Sequence, residues 1–178
     1  MASWTRSAST CAPARKPPPE MEIREANNPL EDIEADVLVL FHPEDEPAPR
    51  GRLGWVDWIL CGAVSRLRAR GKFAGERGAN VLLSPSGKLR ARMILVIGLG
   101  RQADLSMMAL YRLSYLAAQA ILALGCTRVA MEPPSRAFPR ETPTRIRQAF
   151  LEGFTAELKR GRPDASFTVA VLSPPNGA

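Results

Sequence analysis

The sequence predicts an α/β fold of three layers, with helices on both faces of a mixed sheet of about six strands. Three observations carry this. Arg92-Met93-Ile94-Leu95-Val96-Ile97-Gly98-Leu99-Gly100 sets five apolar residues in a row, the pattern of a strand buried on both faces. Two glycines follow, then a long helical pattern closed by Gly125 and a second apolar strand from Thr127. That strand–turn–helix–strand unit implies parallel strands joined by a crossover. Strand and helix patterns alternate over most of the remaining chain.

The elements read in order. Met21 to Glu25 is a short strand, and Asn27-Asn28-Pro29 is turn chemistry. Asp36 to Phe41 is a buried strand ended by His42-Pro43, and an acidic, Pro-bearing loop runs to Pro49. A helix is expected from about Gly54 to Arg70, with Gly71 as its stop. Gly78 to Ser84 is a strand turned by Pro85-Ser86-Gly87, and Arg92 to Ile97 is the next. Asp104 or Ser106 caps a helix to Leu124. Thr127 to Met131 is a strand. Thr142-Pro143 is an N-cap followed by a first-turn proline, opening a helix to about Arg160. Phe167 to Leu172 is the last strand. The early strand, with no helix before it, is the reason for expecting a mixed sheet. Residues 1–19 read as a disordered basic, Pro-rich arm, residues 20–173 as one domain, and 174–178 as a frayed tail.

Charge is unevenly spread. Residues 20–46 hold ten acids and one Arg, a net −9, and residues 47–178 hold twenty Arg or Lys and eight acids, a net +12. Such polarity suits self-association, an acidic partner or weak, salt-sensitive nucleic-acid binding, and it is equally what a solvated surface shows. No apolar run approaches the ~20 residues of a bilayer span, so no membrane is expected. The arm lacks the apolar core of a signal peptide. Cys11, Cys61 and Cys126 have no metal or redox spacing. A reducing cytoplasm is the expected location.

Two helices carry more apolar surface than one core face needs. In the middle helix Leu113, Leu116, Ala117, Ala120, Ile121 and Leu124 form one stripe at about 100° per residue, expected to face the sheet. Met108, Tyr111, Tyr115, Ala118 and Leu122 cluster on the other side. In the first helix the core face is Val56, Ile59, Leu60, Ala63, Val64 and Leu67, and Trp55 and Trp58 fall outside it. These outer groups are candidate interface residues, unless the arm or a loop folds over them.

The chemistry of catalysis is thin. His42 is the only histidine, no nucleophile elbow surrounds a Ser or Cys, and no Cys/His metal spacing or P-loop exists. Glu44-Asp45-Glu46 reads as a solvated charge run. No catalytic residue, metal or cofactor is expected. Ligands of parallel sheets gather at the carboxyl ends of the strands, which makes Gly98 and Gly100 candidate contacts, with a plain tight turn as the alternative. Gly51-Arg52-Leu53-Gly54 precedes a helix, where backbone N–H groups attract phosphate. Ser135 and Arg136, in the loop after the strand ending at Met131, complete the candidate site.

Several motifs together resemble the N-terminal domain of the leucyl aminopeptidase family. They are Ala35-Asp36-Val37-Leu38-Val39, Lys72-Phe73-Ala74-Gly75-Glu76-Arg77-Gly78, the Arg92–Gly100 strand, Leu124-Gly125-Cys126-Thr127-Arg128-Val129 and Glu152-Gly153-Phe154. The resemblance spans about residues 20–173 and implies a macrodomain-like fold. In that family the peptidase chemistry belongs to a separate C-terminal domain with two metal ions and an Asn-Thr-Asp-Ala-Glu-Gly-Arg motif, and nothing in this sequence matches that motif. What the resemblance implies here is a part in oligomer assembly; some relatives also bind DNA. ADP-ribose-binding macrodomains are a more distant comparison. Asp32-Ile33 resembles their adenine-side pair, and Gly51 to Asp57 their first Gly-rich loop. The segment Pro133 to Phe138 lacks the glycines of their second loop. The expectation is a stand-alone, non-catalytic module that self-associates or docks a partner protein. Its rivals are a nucleotide or ADP-ribose binder, a nucleic-acid-binding module and an enzyme of a type that no motif here identifies.

Overall fold

The computed structural model describes residues 19–173. The arm expected over 1–19, Pro19 apart, and the tail expected over 174–178 lie outside them. Within these residues six strands form one sheet: β1 (Met21–Ala26), β2 (Val37–Pro43), β3 (Asn80–Leu83), β4 (Met93–Gly100), β5 (Arg128–Met131) and β6 (Phe167–Leu172). The spatial order is β1-β6-β5-β2-β4-β3. Continuous apolar runs put β2 and β4 in the middle, where both faces are covered. Val37 stands between Met93 and Val129. Every pair is parallel except β3–β4. The sheet is therefore mixed as expected, but for another reason. The early strand β1 runs parallel to β6, and the antiparallel member is β3, which returns directly to β4.

Among the described residues four α-helices cover the sheet: α1 (Gly51–Ile59), α2 (Ala63–Ala69), α3 (Met107–Leu124) and α4 (Pro143–Gly161). The single helix expected over Gly54–Arg70 is two. Cys61 and Gly62 have φ of 55° and 77°, and two successive left-handed residues end any α-helix. Asp57, buried in α1, secures the new start. Its carboxylate accepts from the N–H groups of Val64 (2.7 Å) and Ser65 (3.1 Å) and from the Ser65 hydroxyl (2.6 Å). The loop expected at Gly51–Gly54 is the first turn of α1.

The core has two halves. On one face α3 and α4 pack over Val39, Leu95, Ile97 and Met131; on the other α1, α2 and the Phe73–Ala91 region cover Leu38, Leu40, Ile94 and Val96. Ser106 caps α3 by accepting from Ala109 N–H (3.2 Å), and Gly125 closes it at φ 70°. The Thr142 hydroxyl accepts from Arg145 N–H at the start of α4. The 18 residues of α3 match a short membrane span in hydropathy, yet Leu110, Leu113, Ala117, Ala118 and Ile121 are fully buried inside this fold.

The outer side of α3 has an intrachain partner that the sequence reading did not foresee. Ala118 is completely buried, whereas Leu116, expected on the sheet side, is 42% exposed. The cause is α4. Gly153 lets α4 approach the Tyr111 ring and Ser114, and Gly161 leaves room for Leu122. Two helices packed at glycine positions come closer than larger side chains would allow.

Candidate functional site

The carboxyl ends of β2, β4 and β5 open into a cleft of about 310 Å³. Its apolar walls are Leu40, Phe41, Leu53 and Leu99, and its rim carries Glu46, Arg50, Glu132 and Arg136. Gly51, Pro133 and Pro134 also line it. This is where a parallel sheet places ligands.

One side of the cleft is the start of α1. Arg50 occupies the N-cap position without a capping side-chain bond, so no side chain takes the first-turn N–H groups that a helix leaves without intrahelical partners. Gly51 has φ 57°, and the Arg136 guanidinium lies so close over it that any Cβ would overlap. The sequence candidates Gly51 and Arg136 are thus brought together. Arg52 turns away to the Ser173 carbonyl, with its Nε 3.8 Å from a Glu132 carboxylate oxygen and without a hydrogen-bond partner. Burial pushes the Glu132 carboxyl above the usual range, and Arg52 and Arg136 oppose that shift.

The other side is the loop after β5. Pro133 and Pro134 have no N–H to donate. The N–H groups of Ser135, Ala137 and Phe138 already donate to Pro133, Pro134 and Ser135 carbonyls. Only Arg136 keeps a main-chain N–H that is not used inside this loop. A ring of converging N–H groups, which a diphosphate needs, is missing on this side.

The remaining sequence candidates lie elsewhere. Gly98 and Gly100 are the end of β4 rather than a turn, and the 75–79 segment covers them. Gly98 N–H donates to Ala79 (2.7 Å), Gly100 N–H to Gly75 (2.9 Å), and Gly78 N–H to Gly98 (3.0 Å). The lack of a side chain admits the Gly75–Glu76 backbone at Gly98 and the Arg77 side chain at Gly100, and Leu99 between them reaches the cleft. Gly54 sits against the Pro49 carbonyl, 2.7 Å from where its Cβ would be. Asp32 precedes β2 and pairs with Arg90 at 3.8 Å. The chain enters β2 at that end, so Asp32 is at the opposite end of the sheet from the cleft and does not match the adenine-side role expected of it. Ser135 is half-buried in its own turn.

Of the expected interface groups, Trp58 is 77% exposed, Met108 64%, Tyr111 56% and Tyr115 41%. Trp55 is half-buried on the α1–α2 core, and Ala118 and Leu122 are packed beneath α4. Trp58 and the α3 residues belong to opposite layers and cannot form one patch.

Sequence reasoning missed Glu132, Glu46 and Arg50 as cleft residues. Glu132 had a signal, being the first polar residue after the apolar run of β5, where a carboxyl-end ligand would sit. His42, at the end of β2, is wholly buried. Its Nε2 lies 3.3 Å from an Arg68 nitrogen and its Nδ1 3.8 Å from Glu46. Arginine only donates, so Nε2 accepts and the neutral ring carries its proton on Nδ1. Burial, and then the Arg68 charge, lower the His42 pKa. Among the described residues no group of three or more His, Cys, Asp or Glu is placed to hold a metal ion.

The model of the cytosol aminopeptidase family, N-terminal domain, matches residues 37–158. A probable cytosol aminopeptidase of Geobacter sp. (strain M21) is 37% identical over 122 residues, 66% of this chain and 23% of the relative. One from Cyanothece sp. (strain PCC 7425 / ATCC 29141) is 32% identical over 92 residues, 52% of this chain and 19% of the relative. The chain spans about a fifth of the length of the curated relatives it matches. Among solved structures, a tomato leucine aminopeptidase mutant superposes with a TM-score of 0.67 at 17% identity, over 92% of this chain and 34% of that one. The macrodomain of Mycobacterium tuberculosis DarG gives 0.64 at 13% identity, over 86% and 98%. A Trypanosoma brucei macrodomain in complex with ADP-ribose gives 0.62 at 17% identity, over 86% and 63%. These likenesses establish an α/β, macrodomain-like fold.

Proposed function

The chain belongs to the cytosol aminopeptidase family through that family's N-terminal domain, and on this premise we propose that residues 20–173 form a non-catalytic binding module that self-associates or docks a partner protein. The observation that carries the reading is the apolar surface left outside the fold. Met108 and Tyr111 of α3 are each more than half exposed, and Tyr115 and Leu116 of α3 and Leu82 of β3 are exposed beside them in the same layer; large apolar groups held in water favour association. The family model matches the N-terminal domain, the part of the family to which the resemblance attributes oligomer assembly. A cytoplasmic location is part of the proposal and is supported by the relatives' names. Light scattering tests association, and hydrolysis of Leu-p-nitroanilide with added zinc or manganese tests the absence of catalysis. A mass above that of a monomer and no metal-dependent turnover are expected. A monomer that retains no partner, or turnover that survives further purification, overturns the reading.

The cleft favours a second reading, a nucleotide-type ligand held at the start of α1. The Trypanosoma brucei neighbour with ADP-ribose supports it. The proline-bearing loop after β5 and the Glu132 carboxyl weigh against it, so it ranks second.

A further inference from the structure

We propose that the open edge of β3 is the assembly surface, and that it pairs antiparallel with β3 of a second copy of this chain about a two-fold axis. This rests on the assembly reading above and names its partner.

The sheet has two edges, and they differ in kind. β1 carries Glu22, Arg24 and Glu25, with Arg24 bonded to Glu22 and Glu25 to Arg147. Charges of this sort are how edge strands resist further pairing. β3 reads Asn80-Val81-Leu82-Leu83, with no charge and no proline. Its only strand partner among the described residues is β4, with Leu82 opposite Leu95. Alternate N–H and C=O groups on its outer side therefore face outward.

The side chains agree with the open backbone. Val81 and Leu83 pack on the α1–α2 core. Leu82 alternates to the α3 side and is 46% exposed. Leu116 of α3, 42% exposed, reaches the approach to this strand, its Cδ1 3.2 Å from where a Cβ on Gly78 would stand. An apolar shelf thus flanks an uncharged edge.

Charge and pattern select a second copy. A two-fold pair must keep each face continuous, so partners share parity. Centred on Leu82, it sets Leu82 against Leu82, Val81 against Leu83, and Asn80 against Ser84. Apolar groups meet apolar ones, polar meets polar, and no formal charge opposes another. Four strand residues alone bury less than the roughly 800 Å² per partner of a stable interface. Leu116 and the adjoining side of α3 supply the remainder, and the dimer is expected to be concentration-dependent.

The test is sedimentation or light scattering up to concentrations on the order of 100 μM. The unmodified chain, Leu82→Lys, Leu116→Glu and Trp58→Ser are compared. The expected result is a dimer for the unmodified chain and Trp58→Ser, and a monomer with unchanged circular dichroism for Leu82→Lys. Leu116→Glu should weaken the dimer. As a second measurement, Leu82→Cys, with Cys11 and Cys61 changed to serine, should oxidise to a covalent dimer. A dimer that survives Leu82→Lys but is lost in Trp58→Ser overturns the edge and keeps the assembly reading. A monomer throughout overturns both self-association and the edge. A monomer that pairs only after removal of residues 1–18 assigns the edge to that segment and overturns the proposal.

Discussion

The Glu76 carbonyl oxygen lies over Gly98 more closely than any Cβ on Gly98 would allow, and the Gly75 carbonyl carbon would stand 2.6 Å from such a Cβ. Gly98 is therefore a bare spot on β4 against which the 75–79 segment packs. Backbone presses from the far side, and backbone cannot rotate away. Gly98→Ala is expected to destabilise the fold by about 1–3 kcal/mol through overpacking. Thermal melting checks it, at roughly 2–4 °C for each kcal/mol. An unchanged Tm with altered ligand binding would instead return Gly98 to the cleft.

Asp57 joins two helices that the sequence runs together. Its carboxylate takes three donors from the first turn of α2. Asp57→Ala removes that cap and leaves the donors buried, for an expected loss of about 2 kcal/mol. Asp57→Asn keeps one acceptor oxygen and should lose less. Urea unfolding of the two variants gives the comparison, and equal midpoints would mean that the carboxylate does not hold the α1–α2 junction.

The strands were legible because β2 and β4 are continuous apolar runs, which only a sheet covered on both faces explains. The break between α1 and α2 was not. The apolar phase continues from Val56 through Val64 to Leu67 and masks the break, which a local bond marks: Asp57 caps α2 seven and eight residues on, across the left-handed pair Cys61–Gly62. The cover over Ala118 was hidden likewise, since it depends on Gly153 and Gly161, some forty residues away. Two of the eight sequence candidates, Gly51 and Arg136, line the cleft. Gly51 and Arg136 meet at the cleft because both flank strand ends, whereas Asp32 was placed by a two-residue likeness and lies at the other end of β2.

His42 should make stability fall as pH drops through its ordinary 6.5. His42 is held neutral by burial and by Arg68, so its folded pKa lies below the ordinary 6.5. The unfolded chain then binds the proton more readily than the folded one. Stability is full above the unfolded pKa and is lost as pH falls toward the folded pKa. Glu132 acts in the opposite sense. Its raised pKa favours the folded state at low pH, and that gain is lost as pH rises above 4.5 through its folded pKa. Asp36 is held low: burial would raise it, but bonds from Arg128 and Thr127 outweigh burial. Its contribution is lost only as pH falls below 3.8. Between pH 8 and pH 5 the urea midpoint of the unmodified chain should fall relative to that of His42→Gln, which keeps the Glu132 trend alone. A decline of the same size in both would remove His42 as its source.

ADP-ribose should bind weakly or not at all. Among the described residues no side chain caps the start of α1, and its first-turn N–H groups and the Arg136 charge favour one phosphate. A diphosphate needs donors on both sides, and the second side is spent. Pro133 and Pro134 have none, and Ser135, Ala137 and Phe138 donate within their own loop. The Glu132 carboxyl adds an acid beside the place an anion would occupy. Calorimetry is expected to give no heat, or a Kd weaker than about 100 μM. Glu132→Gln, which removes the acid and keeps the shape, should tighten whatever binding exists by severalfold. A low-micromolar Kd for the unmodified chain, weakened by Glu132→Gln, would mean that the carboxyl serves the ligand and would put the nucleotide reading ahead of docking.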